Sequence, residues 1–209
     1  MEDFEVRKRK DSDEAWLLSY ADLITNLLLF FVALFAAMEV SEVKLQQVQE
    51  ALAGKVSKHS LREMESELQA YIEDKNYEDV ITANLTDRGV IIGINSGIVF
   101  PLGSAEIDAK YRNILMDVLT TVLPYAQKYK FAVEGHTDSI PVKANSRYKS
   151  NWELGSARAL NVRDHVEAVG IPRTKLHIEA FADTQPLMTD GTKTRESDNR
   201  QRRVMIRIY

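Results

Sequence analysis

The chain has 209 residues, of which 44% are hydrophobic and 28% are charged, and these values exclude a wholly disordered protein. Its formal net charge of −4 argues against nucleic-acid binding, which requires a basic surface. The chain has no cysteine, which excludes disulfides and thiolate metal sites, and only four histidines. We therefore expect neither a metal centre nor a cofactor.

The N-terminal part of the sequence predicts a single transmembrane helix. An apolar stretch at residues 16–38 follows a basic run at residues 7–10, and as a helix it would extend about 34 Å, enough to cross a bilayer. Because basic residues precede the span and Glu39 and Glu42 follow it, we expect residues 1–15 in the cytoplasm and the C-terminal part in the periplasm of a bacterial inner membrane. The alternatives are a signal peptide, for which the run is too long, and a buried soluble helix, which would be amphipathic.

An aspartate lies inside this apolar stretch. Asp22 costs roughly 2.5–3.5 kcal/mol at such a depth, so we expect it to face a partner or a water-filled path. Ser19, Thr25 and Asn26 lie at i−3, i+3 and i+4 and share its helix face. These four residues predict a site that transiently binds a proton or a small cation. A polar stripe that only joins helices is the alternative.

The rest of the chain changes its pattern near residue 77. Residues 39–76 are charged and loosely helical in spacing, which predicts a plug-like helical linker. Its narrow apolar stripe favours pairing in a homodimer, with a solvated helix as the alternative. Residues 77–209 alternate strands with helices and predict an α/β sandwich of βαβαβ type, one sheet covered by helices. Strands are predicted at residues 90–94, 131–135, 176–181 and 204–209, an extended piece at 99–100, and helices at 109–127 and 151–168.

Three motifs in this domain resemble the OmpA-like peptidoglycan-binding family. They are Gly135-His136-Thr137-Asp138, Asn151-x-x-Leu154-x-x-x-Arg158-Ala159-x-x-Val162 and Arg202-Arg203-Val204. The resemblance implies that Asp138 and Arg158 clasp the ammonium and carboxylate of diaminopimelate in a stem peptide, which suits that zwitterionic group. It also implies contacts from Thr137 and Asn151, with Arg203 as a further candidate. A purely structural Asp–Arg ion pair is the alternative.

The chain departs from the family pattern at three positions. Gly155 stands where the family usually has Ser, Pro101 where Asp commonly follows the Phe, and Gln201 where Asn is usual. We assign no binding role to Arg200 or Arg202.

The segment Trp16-Leu-Leu-Ser-Tyr-Ala-Asp22-Leu-Ile-Thr25 resembles the membrane helix of MotB and PomB stator subunits. The resemblance implies a torque-generating B subunit, present as a dimer inside a pentameric ring of four-span MotA-type A subunits, which alone contact the rotor. Asp22 would bind and release the coupling ion, with protons favoured over sodium, while the outer domain grips peptidoglycan and the motor drives flagellar rotation. A Zorya-type or other non-flagellar stator and a passive membrane-to-wall tether are the alternatives.

An enzyme is not expected. A wall hydrolase would have to act through His136, Asp138 and Asp183, and no nucleophile is paired with a base there.

Overall fold

The computed structural model describes residues 15–37, 59–143, 146–189, 192–193 and 201–209. The basic run at residues 7–10, much of the predicted linker and Arg200 lie outside the described residues. The chain divides into two units, Met1–Ser41 and Glu42–Tyr209, and each is described by itself.

The first unit contains helix α1, Ala15–Ala37. Within the described part of the chain, its segment Trp16–Ala36 is the one helix long and apolar enough to cross a membrane. Large apolar side chains such as Leu18, Phe30 and Phe35 are exposed around it. So much exposed apolar surface requires an apolar environment, which agrees with the predicted membrane helix.

The second unit is an α/β domain. Its helices are α2 (Leu61–Lys75), α3 (Ser96–Val99), α4 (Ala109–Thr121) and α5 (Asn151–Ala168), with 3-10 turns at Leu123–Tyr125 and Arg173–Lys175. Its strands are β1 (Ile81–Thr86), β2 (Gly89–Asn95), β3 (Phe131–His136), β4 (Leu176–Ala182), β5 (Met188–Thr189), β6 (Thr192–Lys193) and β7 (Arg203–Ile208). The main sheet has the order β1-β2-β7-β3-β4, in which β3 and β4 are parallel and the other pairs are antiparallel.

Alternation along the strands places the core on one face of this sheet. In the central strand, Val204, Ile206 and Ile208 are fully buried, while the residues between them are only half-buried. Helices α2, α4 and α5 contribute to the same hydrophobic core. The predicted α/β sandwich, with one sheet covered by helices, is confirmed.

Helix α2 lies within the segment predicted as linker, and it packs in the domain core. Met64, Leu68 and Ile72 recur at intervals of four residues and are all buried. Two polar side chains of the same helix cover the outer edge of β1: Gln69 Nε2 donates to the Ala83 carbonyl at 3.1 Å, and Glu65 Oε1 accepts from the Leu85 amide at 3.3 Å. The helix therefore protects an edge strand from pairing with another chain.

Two predicted elements differ from the structure. In the extended piece predicted at residues 99–100, Phe100 is extended but Val99 is the last residue of helix α3, whose first turn is capped by the Asn95 side chain accepting a hydrogen bond from the Gly97 amide. The helix predicted at residues 109–127 ends at Thr121 and is followed by a 3-10 turn. Pro124 lies in that turn and has no amide hydrogen with which to continue an α-helix.

Candidate functional site

The carboxyl end of β3 and the first half of α5 border a pocket of about 550 Å³. Four of the predicted site residues line it together: Thr137, Asp138, Asn151 and Arg158. Arg202 lines it as well, together with two further basic residues, Lys143 and Arg147. These residues lie up to 65 positions apart in the sequence, which is the separation between Thr137 and Arg202.

Two glycines allow strand β3 and helix α5 to approach closely beside this pocket. A Cβ added to Gly135 would lie 2.2 Å from the Gly155 carbonyl oxygen, so only glycine fits at this position of the strand. The reverse does not hold, because a Cβ on Gly155 would meet the Gly135 oxygen at 3.4 Å, which is ordinary contact. The glycine that replaces the family's usual serine is therefore not required by space.

Hydrogen bonds to the backbone fix the loop that carries Asp138. The Thr137 amide donates to the Ala182 carbonyl at 2.8 Å, and the Thr137 hydroxyl donates to the Asp138 carbonyl at 3.0 Å. The Asn151 side-chain amide donates to the carbonyls of Asp138 and Ile140, each at 3.0 Å. Both predicted contact residues thus hold the loop in place as well as lining the pocket.

The two charged residues of the predicted clasp have different environments. Asp138 Oδ2 forms an ion pair with Arg202 Nη1 at 3.0 Å, and both side chains are largely buried. Arg158 donates from Nε to the Ser104 carbonyl at 2.9 Å and lies over the Phe100 ring, 5.1 Å from its centroid. Its Nη1 is buried and has no hydrogen-bond partner among the described residues. A buried guanidinium nitrogen without an acceptor is suited to binding an anion.

Burial is the main influence on the ionisation of Arg158. Only 3% of the residue is exposed. Burial, reinforced by the nearby Arg202 guanidinium, lowers the pKa of Arg158 to about 10, and Asp138 opposes this shift. The side chain therefore stays cationic at neutral pH.

The two C-terminal arginines lie in different places relative to the pocket. Arg203 does not line the pocket; it donates to the carbonyls of Gln201 and Gln185 at 3.3 and 3.0 Å and ties the segment after β4 to β7. Arg202, for which no binding role was predicted, donates to Asp138 Oδ2 at 3.0 Å. The sequence pattern indicated this position of Arg202. It is two residues before the buried Val204, so alternation places both side chains on the helix-covered face of the sheet.

In helix α1 the predicted polar stripe has internal hydrogen bonds. The Asn26 amide donates to Asp22 Oδ1 at 3.2 Å. The Thr25 hydroxyl donates to the Ala21 and Asp22 carbonyls at 2.9 and 3.0 Å, so its oxygen lone pairs remain for another donor or a cation. Ser19 precedes Asp22 by three residues on the same face.

Comparison with known proteins gives two family matches. The OmpA family matches residues 99–200, and a family described as membrane MotB of the proton-channel complex MotA/MotB matches residues 5–56.

Similar proteins include two from Bacillus subtilis (strain 168). Motility protein B is 24% identical, covering 96% of this chain and 94% of the relative, and uncharacterized protein YtxE is 28% identical, covering 96% and 91%. Among solved structures, a putative MotB-like protein from Desulfovibrio vulgaris superposes with a TM-score of 0.62 at 25% identity, covering 71% of this chain and 92% of that one.

The fold and the pocket define a membrane-anchored protein with an OmpA-like domain. With a segment in front of that domain that matches the MotB membrane family, the chain is similar to MotB-type proteins over nearly its whole length. The resemblance drawn from the sequence motifs is confirmed.

Proposed function

We propose that this protein is the B subunit of a flagellar stator, which couples ion flow to torque while its outer domain anchors the complex to peptidoglycan. The observation that carries the proposal is the combination in one chain of a membrane helix containing Asp22 and a pocket lined by Asp138 and Arg158. The same combination supports a single-pass inner-membrane protein with a cytoplasmic N-terminus and a periplasmic domain.

The chemistry of the pocket supports binding of a zwitterion. Arg158 Nη1 is buried and has no acceptor in the described part of the chain, which is costly until a carboxylate occupies the pocket. Asp138 provides the opposite charge, for an ammonium group. The free end of diaminopimelate in a stem peptide carries both groups. Because Arg202 already pairs with Asp138, the ligand's ammonium would share or replace that contact.

The chemistry of the membrane helix supports a coupling role for Asp22. The Asn26 amide holds one carboxylate oxygen, and the Thr25 and Ser19 hydroxyls lie on the same face. A carboxylate supported in this way can take up and release a proton, which we favour over sodium as the coupling ion. Two copies of this helix would stand inside a pentameric ring of four-span MotA-type subunits, which contact the rotor.

Asp22 also favours a stator over a passive tether. A tether needs only an anchor helix, and an ionisable residue within it would be a cost without a purpose. A stator that drives a machine other than the flagellum would use the same two sites. It would show ion flux with a MotA-type partner and no effect on motility. MotB-type proteins are structural stator and wall-binding proteins rather than an enzyme class.

Sedimentation with purified insoluble peptidoglycan tests the wall-binding half of the proposal. We expect Asp138→Asn and Arg158→Gln each to weaken binding by about tenfold or more, since each removes a charge-assisted hydrogen bond. Arg163→Gln is the matched control, because Arg163 lies on the same helix but pairs with Asp164 and Glu167 outside the pocket. Equal binding by all three variants would refute the assignment of the pocket.

A further inference from the structure

His136 is the last residue of strand β3, and the ligand-binding loop begins immediately after it. Its side chain is 1% exposed. The imidazole stacks on the Phe181 ring of strand β4, with centroids 5.2 Å apart and an interplanar angle of 21°. The ring lies outside the pocket lining and has no part in the clasp described above.

The stack coincides with an irregularity in the sheet. Gly135 pairs with Ala180, but His136 pairs with Ala182, so Phe181 is an extra residue that bulges out of the register. Ala182 has a φ of 47°, a backbone conformation that non-glycine residues seldom adopt. The Ala182 carbonyl accepts the Thr137 amide at 2.8 Å. Bulges of this kind redirect the chain at the end of a ladder, and here the redirected segment carries Asp138.

Charged groups surround the imidazole on several elements. On β3 itself, Glu134 Oε2 lies 3.6 Å from His136 Nε2. Arg207 on β7 and Arg88 in the β1–β2 turn both bond to Glu134 Oε1, at 2.6 and 2.7 Å. Two more charged groups complete this environment. Arg203 lies opposite His136 on the neighbouring strand β7, and Glu179 on β4 accepts a hydrogen bond from Arg207.

These surroundings favour the neutral imidazole. Nε2–H can point toward Glu134, whose charge is already matched by two guanidinium groups. Nδ1 has no hydrogen-bond partner among the described residues, so a second proton would create a buried cation with an unsatisfied N–H. Burial lowers the pKa of His136; Glu134 opposes the shift, and Arg203 and Arg88 add to it.

We propose that His136 is a positioning residue for Asp138, which holds the bulge and the ligand loop in place only while its imidazole is neutral. Protonation leaves a buried cation with an unsatisfied Nδ1–H beside the bulge, which shifts the Thr137 amide from the Ala182 carbonyl and weakens binding of the stem peptide. The inference rests on the proposed wall-binding function. Because the ordered loop binds fewer protons than the loosened one, binding is complete above about pH 6.5 and declines as the pH falls through the lowered pKa.

Peptidoglycan sedimentation of the full chain in detergent, from pH 7.5 to 5.0, tests this inference. We expect wild-type affinity to fall by about threefold or more over this range. His136→Phe retains an aromatic ring against Phe181 but cannot be protonated. It should bind within about twofold of wild type at pH 7.5 and lose the acid dependence. His177→Phe is the control, because His177 is a half-exposed histidine on β4, and it should keep the wild-type profile.

A wild-type profile that stays flat, or an identical acid dependence in His136→Phe, would overturn the proposal. Should that variant not fold, NMR titration of the wild-type imidazole and of the Thr137 amide decides instead. The two signals must move with one midpoint below that of an exposed histidine, and separate midpoints would refute the coupling. Because this titration needs no ligand, it separates a failure of the His136 proposal from a failure of the proposed wall-binding function. Failure to bind peptidoglycan at every pH would refute the proposed function and leave the coupling measurable.

Discussion

Substituting the two glycines that meet between β3 and α5 should have opposite effects on stability. Gly135→Ala places a methyl group 2.2 Å from the Gly155 carbonyl oxygen and 2.7 Å from its carbonyl carbon. Both are backbone atoms and cannot rotate away, so the helix must move from the strand by about 1 Å. Gly155→Ala places its methyl at 3.4 Å or more from all neighbours. It also replaces glycine within a helix, at a position where alanine is favoured.

The magnitudes follow from these contacts. For Gly135→Ala we expect a loss of about 3 kcal/mol or more in the free energy of unfolding, at the upper end for overpacked cores. For Gly155→Ala we expect a gain of about 0.5–1 kcal/mol. In a domain of this size, these correspond to changes in Tm of roughly −6 to −12 °C and about +1 to +4 °C.

Thermal and urea unfolding of a soluble fragment covering residues 59–209 would measure both effects. Each variant serves as the control for the other, because both add one methyl group to the same contact. Peptidoglycan binding by Gly155→Ala should stay within about twofold of wild type, since its methyl does not enter the clasp. Equal destabilisation by the two variants would refute the packing described for this junction.

Two further predictions concern ion pairs. Burial would raise the pKa of Glu134, but the His136 imidazole at 3.6 Å, the hydrogen bond from Arg207 and the charge of Arg88 outweigh it and hold the pKa at about 2. This lowered pKa contributes about 3 kcal/mol to the free energy of unfolding, which is present above pH 4.5 and lost as the pH falls toward 2. Urea unfolding between pH 7 and 3 should therefore show a smaller loss of stability at acid pH in Glu134→Gln than in wild type. A double-mutant cycle with Asp138→Asn and Arg202→Gln should give a coupling energy of about 1–2 kcal/mol, and strictly additive effects would contradict the 3.0 Å pair.

The periodicity of the sequence was sufficient to predict the main elements of the fold. A predominantly apolar stretch predicted helix α1, and short apolar runs predicted strands β2, β3, β4 and β7, whereas the edge strand β1 was not predicted. The four-residue spacing of Met64, Leu68 and Ile72 was visible as well. It could not show whether that helix packs on another chain or on its own domain, because an apolar stripe does not specify its partner.

Site residues that belong to sequence motifs were predictable, and those whose position depends on tertiary contacts were less so. Asp138 and Arg158 were found from their motifs, and the pocket brings them together. Alternation with the buried Val204 indicated the face of Arg202, but its contact with Asp138 required the folded structure, because the two residues are 64 positions apart. The bulge at Phe181 has no sequence signal of its own, because it arises from the pairing of two strands about 45 residues apart.

The central claim is that Asp22 carries the coupling ion of a stator, and ion flux tests it most directly. The protein would be co-expressed with a MotA-type four-span subunit, the complex reconstituted in vesicles, and proton flux compared between wild type and Asp22→Asn. Asp74→Asn is the control, because that carboxylate lies in α2 of the second unit and is exposed. We predict that the complex forms with all three chains and that flux disappears only in Asp22→Asn. Full flux in that variant would contradict the stator assignment.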